Sequence, residues 1–379
     1  MCWLSSLLQS GTGLSWSWPP GSSLDKPRAR ADDPWVSHSE LTIHEDDAGV
    51  RLDRFLRKLL PGAGLGFIQK LCRKGVRRNG VRAKASDRLA PGDRLRIALA
   101  PEELERLRVS KGEAGKTRPR SETPSRSRPG APPPPLQVLF EDGDILVLNK
   151  PTGLLVHSGP EGEEDLCSMV RRYLPVGPSL TFRPSPAHRL DRETSGLVVF
   201  GKTAAALRAL TQSLRKGLWA KAYLALLAGR PDPSMGVLLG RLRRGEPGGR
   251  RKARVRVVGK GAEGKEARLQ YRLVAAAQGA SLVAVRLETG RTHQIRVQFE
   301  AHGCPLVRDP RYGGRRCGGL PFFLHAAKLL LPHPSGAKLL QLEAPPPPGI
   351  RDLLQDAGLW GDPEAQLDAL VQPPQGERE

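Results

Sequence analysis

Cysteine is scarce in this sequence, and its few positions follow no recognisable spacing. The 379 residues contain five cysteines, an odd number, and no Cys-x-x-Cys pair. A disulfide framework needs an even set of cysteines, and a cysteine zinc site needs closely spaced pairs. Neither is therefore expected, and the composition fits a reducing compartment best.

Long apolar runs and clusters of cysteine with histidine are also missing. Because no run of about 18 apolar residues occurs, no segment is expected to span a membrane. The chain lacks a Cys/His cluster, and no cofactor and no metal are expected. It also lacks Gly-x-Ser-x-Gly and His-Glu-x-x-His, which disfavours a hydrolase built on His188 or His293.

Acidic residues are few relative to basic ones. The chain has 60 Lys and Arg against 39 Asp and Glu, a formal charge of +21, and such a field attracts nucleic acid or an anionic membrane surface. A GC-rich genome also inflates arginine without a functional cause. We favour nucleic acid because the excess is regional, with fourteen Lys and Arg against four acids in residues 47–100.

Residues 41–100 have the pattern of a small basic domain. Leu52, Phe55, Leu56 and Leu59 recur at helical spacing, a second short helix follows, and Asn79-Gly80 indicates a hairpin turn. A basic helix pair with a hairpin suits a phosphate backbone. The candidate RNA contacts are Arg51, Arg54, Lys70, Arg73, Lys74, Arg77, Arg78, Asn79 and Arg82.

Three segments show no pattern of a folded core. Residues 1–40 are predicted to be a disordered leader, because arginine, which a transit peptide would contain, first appears at Arg28. Residues 101–135 are rich in Pro, Ser and Arg, which predicts a flexible basic linker that would let the flanking domains move relative to each other. Residues 349–379 form a C-terminal tail without an assigned function.

Residues 136–348 are predicted to form an α+β domain with a largely antiparallel mixed sheet. Strands are predicted at 138–140, 145–148, 197–200, 223–227 and 282–287, and helices at 204–216 and 292–302. The basic excursion at residues 240–265 interrupts this pattern. It is either a solvated loop, the default expectation, or an added RNA contact.

The stretch "SPAHRLDRETSGLVVFGKT", residues 185–203, concentrates charge just before an apolar strand. Asp191 would lie at the rim of the core, with His188, Arg189 and Arg192 beside it to keep it ionised. A Thr194-Ser195-Gly196 turn would place it above the strand. A carboxylate in that setting can serve as a nucleophile or a base, although a salt-bridged aspartate at a turn has the same spacing.

Two further clusters contain candidate functional groups. In "LETGRTHQIRVQFEAHG", Thr292 is a candidate N-cap and Arg291 could pair with a carboxylate across the sheet, or the cluster could be an anion site at a helix N-terminus. In "WAKAYLALLAG", Lys221 and Tyr223 point to the same face of a strand. They could form a stacking surface for a base, or a core tyrosine beside an exposed lysine.

The stretch "HRLDRETSGLVVFGKT" resembles the first motif of the RluA-type pseudouridine synthases. "KAYLALLAG" and "LETGRTHQIRVQFEAHGCPLVRDPRYGG" resemble the next two motifs in the same order, and "VLFEDGDILVLNKPTGLLVHSG" and "FFLHAAKLLLPHPSG" also match. The similarity covers nearly all of residues 136–345. Residues 50–99 resemble the S-four-type (alpha-L) RNA-binding module that precedes the catalytic domain in many members.

The resemblance implies a role for several residues. Asp191 would be the catalytic aspartate, Tyr223 the tyrosine packed on the target base, and Arg291 the arginine paired with the aspartate. Arg189 would fill the space left by a flipped uridine, and Ile295 would form part of the apolar floor. The other candidate substrate contacts are His188, Lys221, Thr292 and His293.

Two positions depart from the family pattern. Arg308 stands where a glycine is usual, and Gln298 stands where a histidine is common. These differences concern the loop conformation and the contacts at the rim rather than the catalytic set.

The resemblance thus implies the pseudouridine synthase fold and the isomerisation of uridine in RNA without a cofactor. Because of the basic module and linker, we expect large-subunit ribosomal RNA rather than transfer RNA as the substrate. The alternative from another class is a non-catalytic RNA-binding protein of ribosome assembly. We expect a monomer that binds RNA and no membrane, in the bacterial cytoplasm or, as the alternative, in the mitochondrial matrix.

Overall fold

The computed structural model describes most of the chain. The described residues are 37–109, 135–157, 164–175, 177–245, 254–259, 262–336 and 338–371. Nearly all of the predicted leader, most of the predicted linker, part of the basic excursion and the last eight residues lie outside this set. In the described part, no helix is both long and apolar enough to cross a membrane.

Residues 37–109 form a small domain, here called the N-terminal module. Its strands are β1 (Ser39–Thr42), β2 (Val76–Arg78), β3 (Val81–Arg82) and β4 (Arg94–Ile97), and its helices are α1 (Leu52–Leu59), α2 (Leu65–Lys74) and α3 (Pro101–Arg108). The strands form an antiparallel sheet in the order β1-β4-β2-β3. The Asn79-Gly80 turn between β2 and β3 has positive φ at both residues, as a tight hairpin requires.

Helix α3 lies where the sequence predicted a flexible linker. Pro101 occupies its first turn and acidic residues follow, both of which favour a helix start. Leu104 is buried in the core of the module, and the carbonyl of Leu107 accepts a hydrogen bond from the amide of Gly62. The prediction is therefore wrong for these eight residues, because two leucines are enough to pack one short helix on an existing core.

Residues 135–371 form the large domain, which is built on an 11-stranded sheet. Its strands are β5 (Val138–Glu141), β6 (Ile145–Lys150), β7 (Ser185–Pro186), β8 (Ser195–Gly201), β9 (Ala220–Ala228), β10 (Met235–Arg244), β11 (Val255–Val258), β12 (Lys265–Ala277), β13 (Ala280–Leu287), β14 (Leu324–Pro332) and β15 (Leu339–Glu343). Its helices are α4 (Leu166–Tyr173), α5 (Ala204–Arg215), α6 (Gln294–Ala301), α7 (Ile350–Asp356) and α8 (Pro363–Leu370).

The sheet has the order β11-β10-β12-β13-β9-β14-β8-β6-β5, with β15 beside β14 and β7 beside β8. All pairs are antiparallel except β8 with β14, which are parallel. This confirms the predicted α+β class with a largely antiparallel mixed sheet. Strands β6 and β8 are buried at every residue, so they form the rigid centre of the domain.

The basic excursion belongs largely to this sheet. Its described residues lie mainly in β10, β11 and the start of β12, and β10 exposes every second residue along most of its length. The expectation of a solvated loop is therefore wrong there, because β10 pairs with β11 on one side and β12 on the other, and its two-residue alternation with a buried Leu242 is typical of a strand. Residues 246–253 and 260–261, at the connections, lie outside the described set.

The predicted C-terminal tail contains two helices. Helix α8 starts at the N-cap Asp362, whose side chain accepts a hydrogen bond from the amide of Ala365, and it packs on strands β9, β12 and β13. Leu354, Leu367 and Leu370 are buried there with other apolar residues of the sheet. The tail thus covers an apolar face that the strand pattern alone left open.

Candidate active site

A cleft of about 690 Å³ opens beside the amino end of β8. Its walls come from the loop before β8, from β9 and from the start of α6. It is lined by all the candidates that the sequence singled out in the large domain: His188, Arg189, Asp191, Lys221, Tyr223, Arg291, Thr292, His293 and Ile295. The structure therefore brings three separate sequence motifs to one site.

Asp191 lies in a tight turn that leads directly into β8. The amide of Thr194 donates to the carbonyl of Asp191 at 3.1 Å, and Ser195 and Gly196 already belong to the strand. The turn is therefore formed by residues 191–194, and the prediction of a Thr194-Ser195-Gly196 turn is wrong because Ser195 and Gly196 already pair with β14. Gly196 has φ +108, and a Cβ on it would lie 2.7 Å from the backbone nitrogen of Ala326 in β14. Only glycine at position 196 therefore allows the start of β8 to lie this close to β14.

Lys150 holds the backbone of the same turn in place through hydrogen bonds. Its buried ammonium group donates to the carbonyls of Pro151 and Leu154 at 2.8 Å and to that of Arg192 at 3.1 Å. The amide of Gly153 donates to the carbonyl of Arg192 as well. Burial lowers the pKa of Lys150 to about 8. No sequence pattern identified this residue, because its function is to hold the backbone rather than to line the cleft.

The arginine that faces Asp191 is Arg296, not Arg291. Nη1 of Arg296 lies 3.7 Å from Oδ2 of Asp191, and the side chain is only 6% exposed. Arg291 is exposed and its Nε donates to the carbonyl of Glu266 at 2.9 Å. The predicted pairing is therefore wrong. Arg291 precedes α6 and points to β12, whereas Arg296 lies on the face of α6 that is turned towards the turn containing Asp191.

Arg296 is itself held by a buried carboxylate. Its Nε and Nη2 donate to the two oxygens of Asp309 at 2.7 and 2.8 Å. Burial opposes both charges, but the mutual hydrogen bonds outweigh it, so that the pKa of Asp309 is lowered and that of Arg296 is raised. The guanidinium also lies over the ring of Tyr312, 5.2 Å from the centroid. A permanent, oriented positive charge therefore faces Asp191.

His293 is the second group beside Asp191, with Nε2 3.7 Å from Oδ2. Its Nδ1 is 2.8 Å from the hydroxyl of Tyr312, which fixes the ring. Burial lowers the pKa of His293, although the charge of Asp191 opposes this. His293 has φ +56 and is the N-cap of α6, so the prediction of Thr292 as N-cap is wrong.

Gln294 organises the loop before α6 and was not found from the sequence. Its buried carbonyl oxygen accepts hydrogen bonds from the hydroxyl of Thr289 and the amide of Arg291, and its nitrogen donates to the carbonyl of Arg268. This set of bonds ties the loop to β12. The exposed side chains of Arg291 and Thr292 are thereby presented along the wall of the cleft.

Strand β9 forms the opposite wall. Lys221 and Tyr223 project from it into the cleft, as the two-residue spacing predicted. Burial, and then the charge of Asp191, raise the pKa of the Tyr223 hydroxyl, and burial lowers the pKa of Lys221. Tyr223 is therefore a neutral phenol in the same cleft as Asp191.

His188 closes the end of this wall. Its Nε2 accepts a hydrogen bond from the amide of Val199 at 3.2 Å, and its ring meets that of Trp219 edge-on, with centroids 5.5 Å apart. Burial, with the nearby charge of Lys221, lowers its pKa to about 3. A neutral His188 that accepts a backbone bond supports the wall rather than transferring protons.

The two departures from the family pattern take up defined structural positions. Arg308 has φ +53, a backbone region that glycine adopts at little cost, so an arginine is strained there. Gln298 is buried in α6, and its amide nitrogen donates to the carbonyl of Leu238 in β10 at 2.9 Å. Neither side chain lines the cleft.

The described part of the chain does not provide a set of ligands for a metal ion. Among them, no group of three or more His, Cys, Asp or Glu side chains is placed to hold a metal ion. The titratable groups that line the cleft are the carboxylates Asp191 and Glu288, the histidines His188 and His293, the phenol of Tyr223 and several Lys and Arg side chains.

Comparison with known proteins identifies the family. Residues 144–301 match the family model described as RNA pseudouridylate synthase. The chain is 33% identical over 330 residues to the ribosomal large subunit pseudouridine synthase C of Escherichia coli K12, with 83% of this chain and 95% of that protein covered. It is 34% identical over 326 residues to the protein of the same name from Pasteurella multocida, covering 83% and 92%.

A solved structure agrees with this result. The human RNA pseudouridylate synthase domain containing 1 protein superimposes with a TM-score of 0.51 at 25% identity, covering 63% of this chain and 96% of that one. The fold, the three motifs that meet in one cleft and the sequence relatives all lead to one conclusion. The chain belongs to the RluA-type RNA pseudouridine synthases, isomerases that act on RNA.

Proposed function

We propose that this enzyme converts uridine to pseudouridine in large-subunit ribosomal RNA, with Asp191 as the catalytic carboxylate. The observation that carries the proposal is the buried pairing of Arg296 with Asp309, which directs a fixed positive charge at Asp191 in a cleft of about 690 Å³. The two bacterial relatives named for the large ribosomal subunit support the choice of RNA.

The reaction is an isomerisation with a simple balance of atoms. The bond between N1 of uracil and C1′ of the ribose breaks, the base turns in the cleft, and a bond forms between C5 and C1′. The hydrogen on C5 leaves to solvent and N1 takes up a proton. No electrons are exchanged with a cofactor, so the chain needs only to hold, orient and polarise the nucleotide.

Asp191 acts first, either by attack on C1′ or by removal of a proton from the sugar. Both roles require an ionised and oriented carboxylate. The charge of Arg296 favours the ionised form of Asp191, and His293 lies beside the same carboxylate oxygen. Ion pairing in a partly closed cleft is stronger than in water, and it costs no reorganisation during the reaction.

The cleft walls would hold the flipped base. Because a stacked uridine cannot present C1′ to a carboxylate, the nucleotide must leave the strand at a cost of a few kcal/mol. The neutral ring of Tyr223 and the apolar side chain of Ile295 would contact the base. Arg189 is exposed at the mouth of the cleft, where it can occupy the space that the uridine leaves.

The N-terminal module would supply most of the backbone contacts. Six of its candidate residues are exposed cations: Arg54, Lys70, Arg73, Lys74, Arg77 and Arg82. The remaining three have structural contacts within the module, since Arg51 pairs with Asp53, Arg78 pairs with Asp93, and Asn79 bonds to Asp93 and to the amide of Arg94. The exposed cations release counterions from RNA, so binding should weaken steeply with salt.

The setting that we propose is a monomer in the bacterial cytoplasm. Both relatives above are bacterial proteins. The large domain carries the complete set of cleft residues on one chain, so the site needs no second copy.

The test uses the purified full-length enzyme and transcripts that contain uridine labelled with tritium at C5. We expect tritium release from a large-subunit ribosomal RNA transcript and not from transfer RNA transcripts, with pseudouridine found at discrete positions. Release from transfer RNA alone would assign the enzyme to that substrate instead. Binding to ribosomal RNA without release from any transcript would favour a non-catalytic assembly protein.

A further inference from the structure

Two adjacent aspartates join the N-terminal module to the large domain. Asp46 and Asp47 lie in the short 3-10 turn Glu45–Asp47 between β1 and α1, here called the 45–47 turn. Asp47 is completely buried although its side chain is a carboxyl group. A buried carboxylate is costly unless its oxygens are fully hydrogen-bonded.

The side chain of Asp47 accepts hydrogen bonds from three residues of the large domain. Oδ1 accepts from the hydroxyl of Ser179 at 2.8 Å and from the amide and hydroxyl of Thr181 at 2.9 and 2.6 Å, and Oδ2 accepts from the amide of Leu180 at 2.8 Å. The side chain of Leu180 packs against the apolar core of the module. The four hydrogen bonds to the Asp47 carboxyl group and the packing of Leu180 on the module core together fix the orientation of the two domains at this contact.

Asp46 makes a second contact at a different element. Its Oδ1 accepts from the amide of Ala204 at 2.6 Å, at the positive amino end of α5. Thr203 caps the same helix end through the amide of Ala206, so the two side chains satisfy separate amides.

In the sequence, the residues contacted by Asp47 and Asp46 lie before and after the loop that contains Asp191. Thr181 is ten residues before Asp191, and Ala204 opens the helix that follows β8. The exposed cations of α2, Lys70, Arg73 and Lys74, belong to another element and stay accessible. The module is therefore fixed to the segments that carry the active site, while its basic face remains available.

We propose that the 45–47 turn fixes the N-terminal module in one orientation, so that RNA bound by the module enters the cleft at a set distance from Asp191. The inference rests on the proposed function, because it assigns the module a part in choosing the uridine. A module joined only by a flexible linker would raise the local concentration of RNA near the cleft. A module in a fixed orientation would also determine which nucleotide of the bound RNA reaches Asp191. The sequence had predicted that the two domains move freely.

The decisive variant is Asp47→Asn in the full-length enzyme. All four partners of Asp47 are donors, so an amide must turn its NH₂ towards at least one of them and lose that bond. Glu45→Gln is the matched control, since it removes the same charge from an exposed position of the same turn.

The first readout is hydrogen exchange of the backbone amides of Leu180 and Thr181. We expect faster exchange of both amides in Asp47→Asn than in the wild type and in Glu45→Gln, with unchanged exchange in the buried strand β8. Equal exchange in all three proteins would overturn the proposal, because Asp47 would then not hold the module. This readout needs no activity, so it stands even if the proposed function fails.

The second readout compares two RNA substrates, a large-subunit transcript and a short fragment around the modified uridine that reaches only the cleft. We expect Asp47→Asn to raise KM for the transcript by about tenfold, with kcat/KM for the fragment unchanged. An unchanged KM for the transcript, or an equal loss on the fragment, would overturn the proposal, since Asp47 would then be without effect or merely structural. Failure of the wild type on both RNAs would instead contradict the proposed function.

Discussion

The guanidinium of Arg296 holds the carboxylate of Asp309 through two hydrogen bonds, of 2.7 and 2.8 Å, with neither group exposed to more than a trace of solvent. Its remaining nitrogen lies 3.7 Å from Asp191. Asp309 also accepts from the amides of Arg311 and Tyr312, so it links α6 to the loop that follows. The orientation of Arg296 towards Asp191 thus depends on a carboxylate that does not line the cleft.

Replacing that carboxylate should therefore lower activity from outside the cleft. In Asp309→Asn one of the two bonds to Arg296 is lost and the buried guanidinium is no longer neutralised. We expect a loss of about 3 kcal/mol in the free energy of unfolding and a fall of about a hundredfold in the single-turnover rate. Urea unfolding and rapid-quench tritium release measure the two effects. A normal rate in a destabilised protein would show that Asp309 only stabilises the fold.

The two arginines near α6 should differ sharply in their effect on catalysis. Arg296→Lys keeps the charge but loses the forked geometry, and we expect its single-turnover rate to fall by about a hundredfold. Arg291→Lys should cost no more than about fivefold, because its contact is exposed. Rates with saturating RNA give the comparison, and the reverse order of effects would restore Arg291 as the partner of Asp191.

That reversal of roles shows where sequence analysis reached its limit. The motifs identified Asp191, Tyr223 and the segment containing both arginines, since each motif is local. Which arginine faces the aspartate depends on where α6 begins, and His293 starts the helix in a left-handed conformation that no spacing rule predicts. Arg291 is thereby left outside the helix, next to β12.

The same limit applies to residues that act through long-range contacts. The buried strands and α5 were predictable because apolar runs and helical spacing lie within one segment. Lys150 bonds to a carbonyl 42 residues away, and Asp47 bonds to Ser179 across 132 residues. In the sequence both appear as ordinary surface charges. Helix α3 and the two C-terminal helices were missed because their few leucines pack on cores formed elsewhere.

Because β8 lies close against β14, we expect the addition of one methyl group at Gly196 to destabilise the protein strongly. Gly196→Ala combines a positive φ with a clash against the backbone of Ala326, and we expect it to cost more than about 3 kcal/mol of stability. Gly153→Ala is the control, because Gly153 also has positive φ but open space around its Cβ position, and should cost about 1 kcal/mol. Thermal unfolding separates the two, and equal losses would mean that the strands can move apart.

Acid should destabilise the protein through a buried histidine. His325 donates from Nε2 to the carbonyl of Ala344 and accepts at Nδ1 from the hydroxyl of Ser195, an arrangement that only the neutral ring can make. Burial lowers its pKa from 6.5 to about 4. The unfolded chain therefore binds the proton first as pH falls, and stability decreases between these two values.

The expected loss is about 3 kcal/mol from His325 once the pH is below 4, reached progressively from 6.5. Urea unfolding at a series of pH values measures it. His325→Gln should be less stable at neutral pH but should show a shallower decline towards acid. A parallel decline in both proteins would mean that other groups cause the acid sensitivity.

Loss of the Asp191 carboxylate should abolish the reaction, because the mechanism assigns the first chemical step to this group. Tritium release from a labelled ribosomal RNA transcript is measured under single-turnover conditions for the wild type, Asp191→Asn and the loop control Glu193→Gln, with RNA affinity measured in parallel. We predict no detectable release by Asp191→Asn, RNA binding close to that of the wild type, and near-normal release by Glu193→Gln. Release by Asp191→Asn at a rate comparable to the wild type would contradict the account.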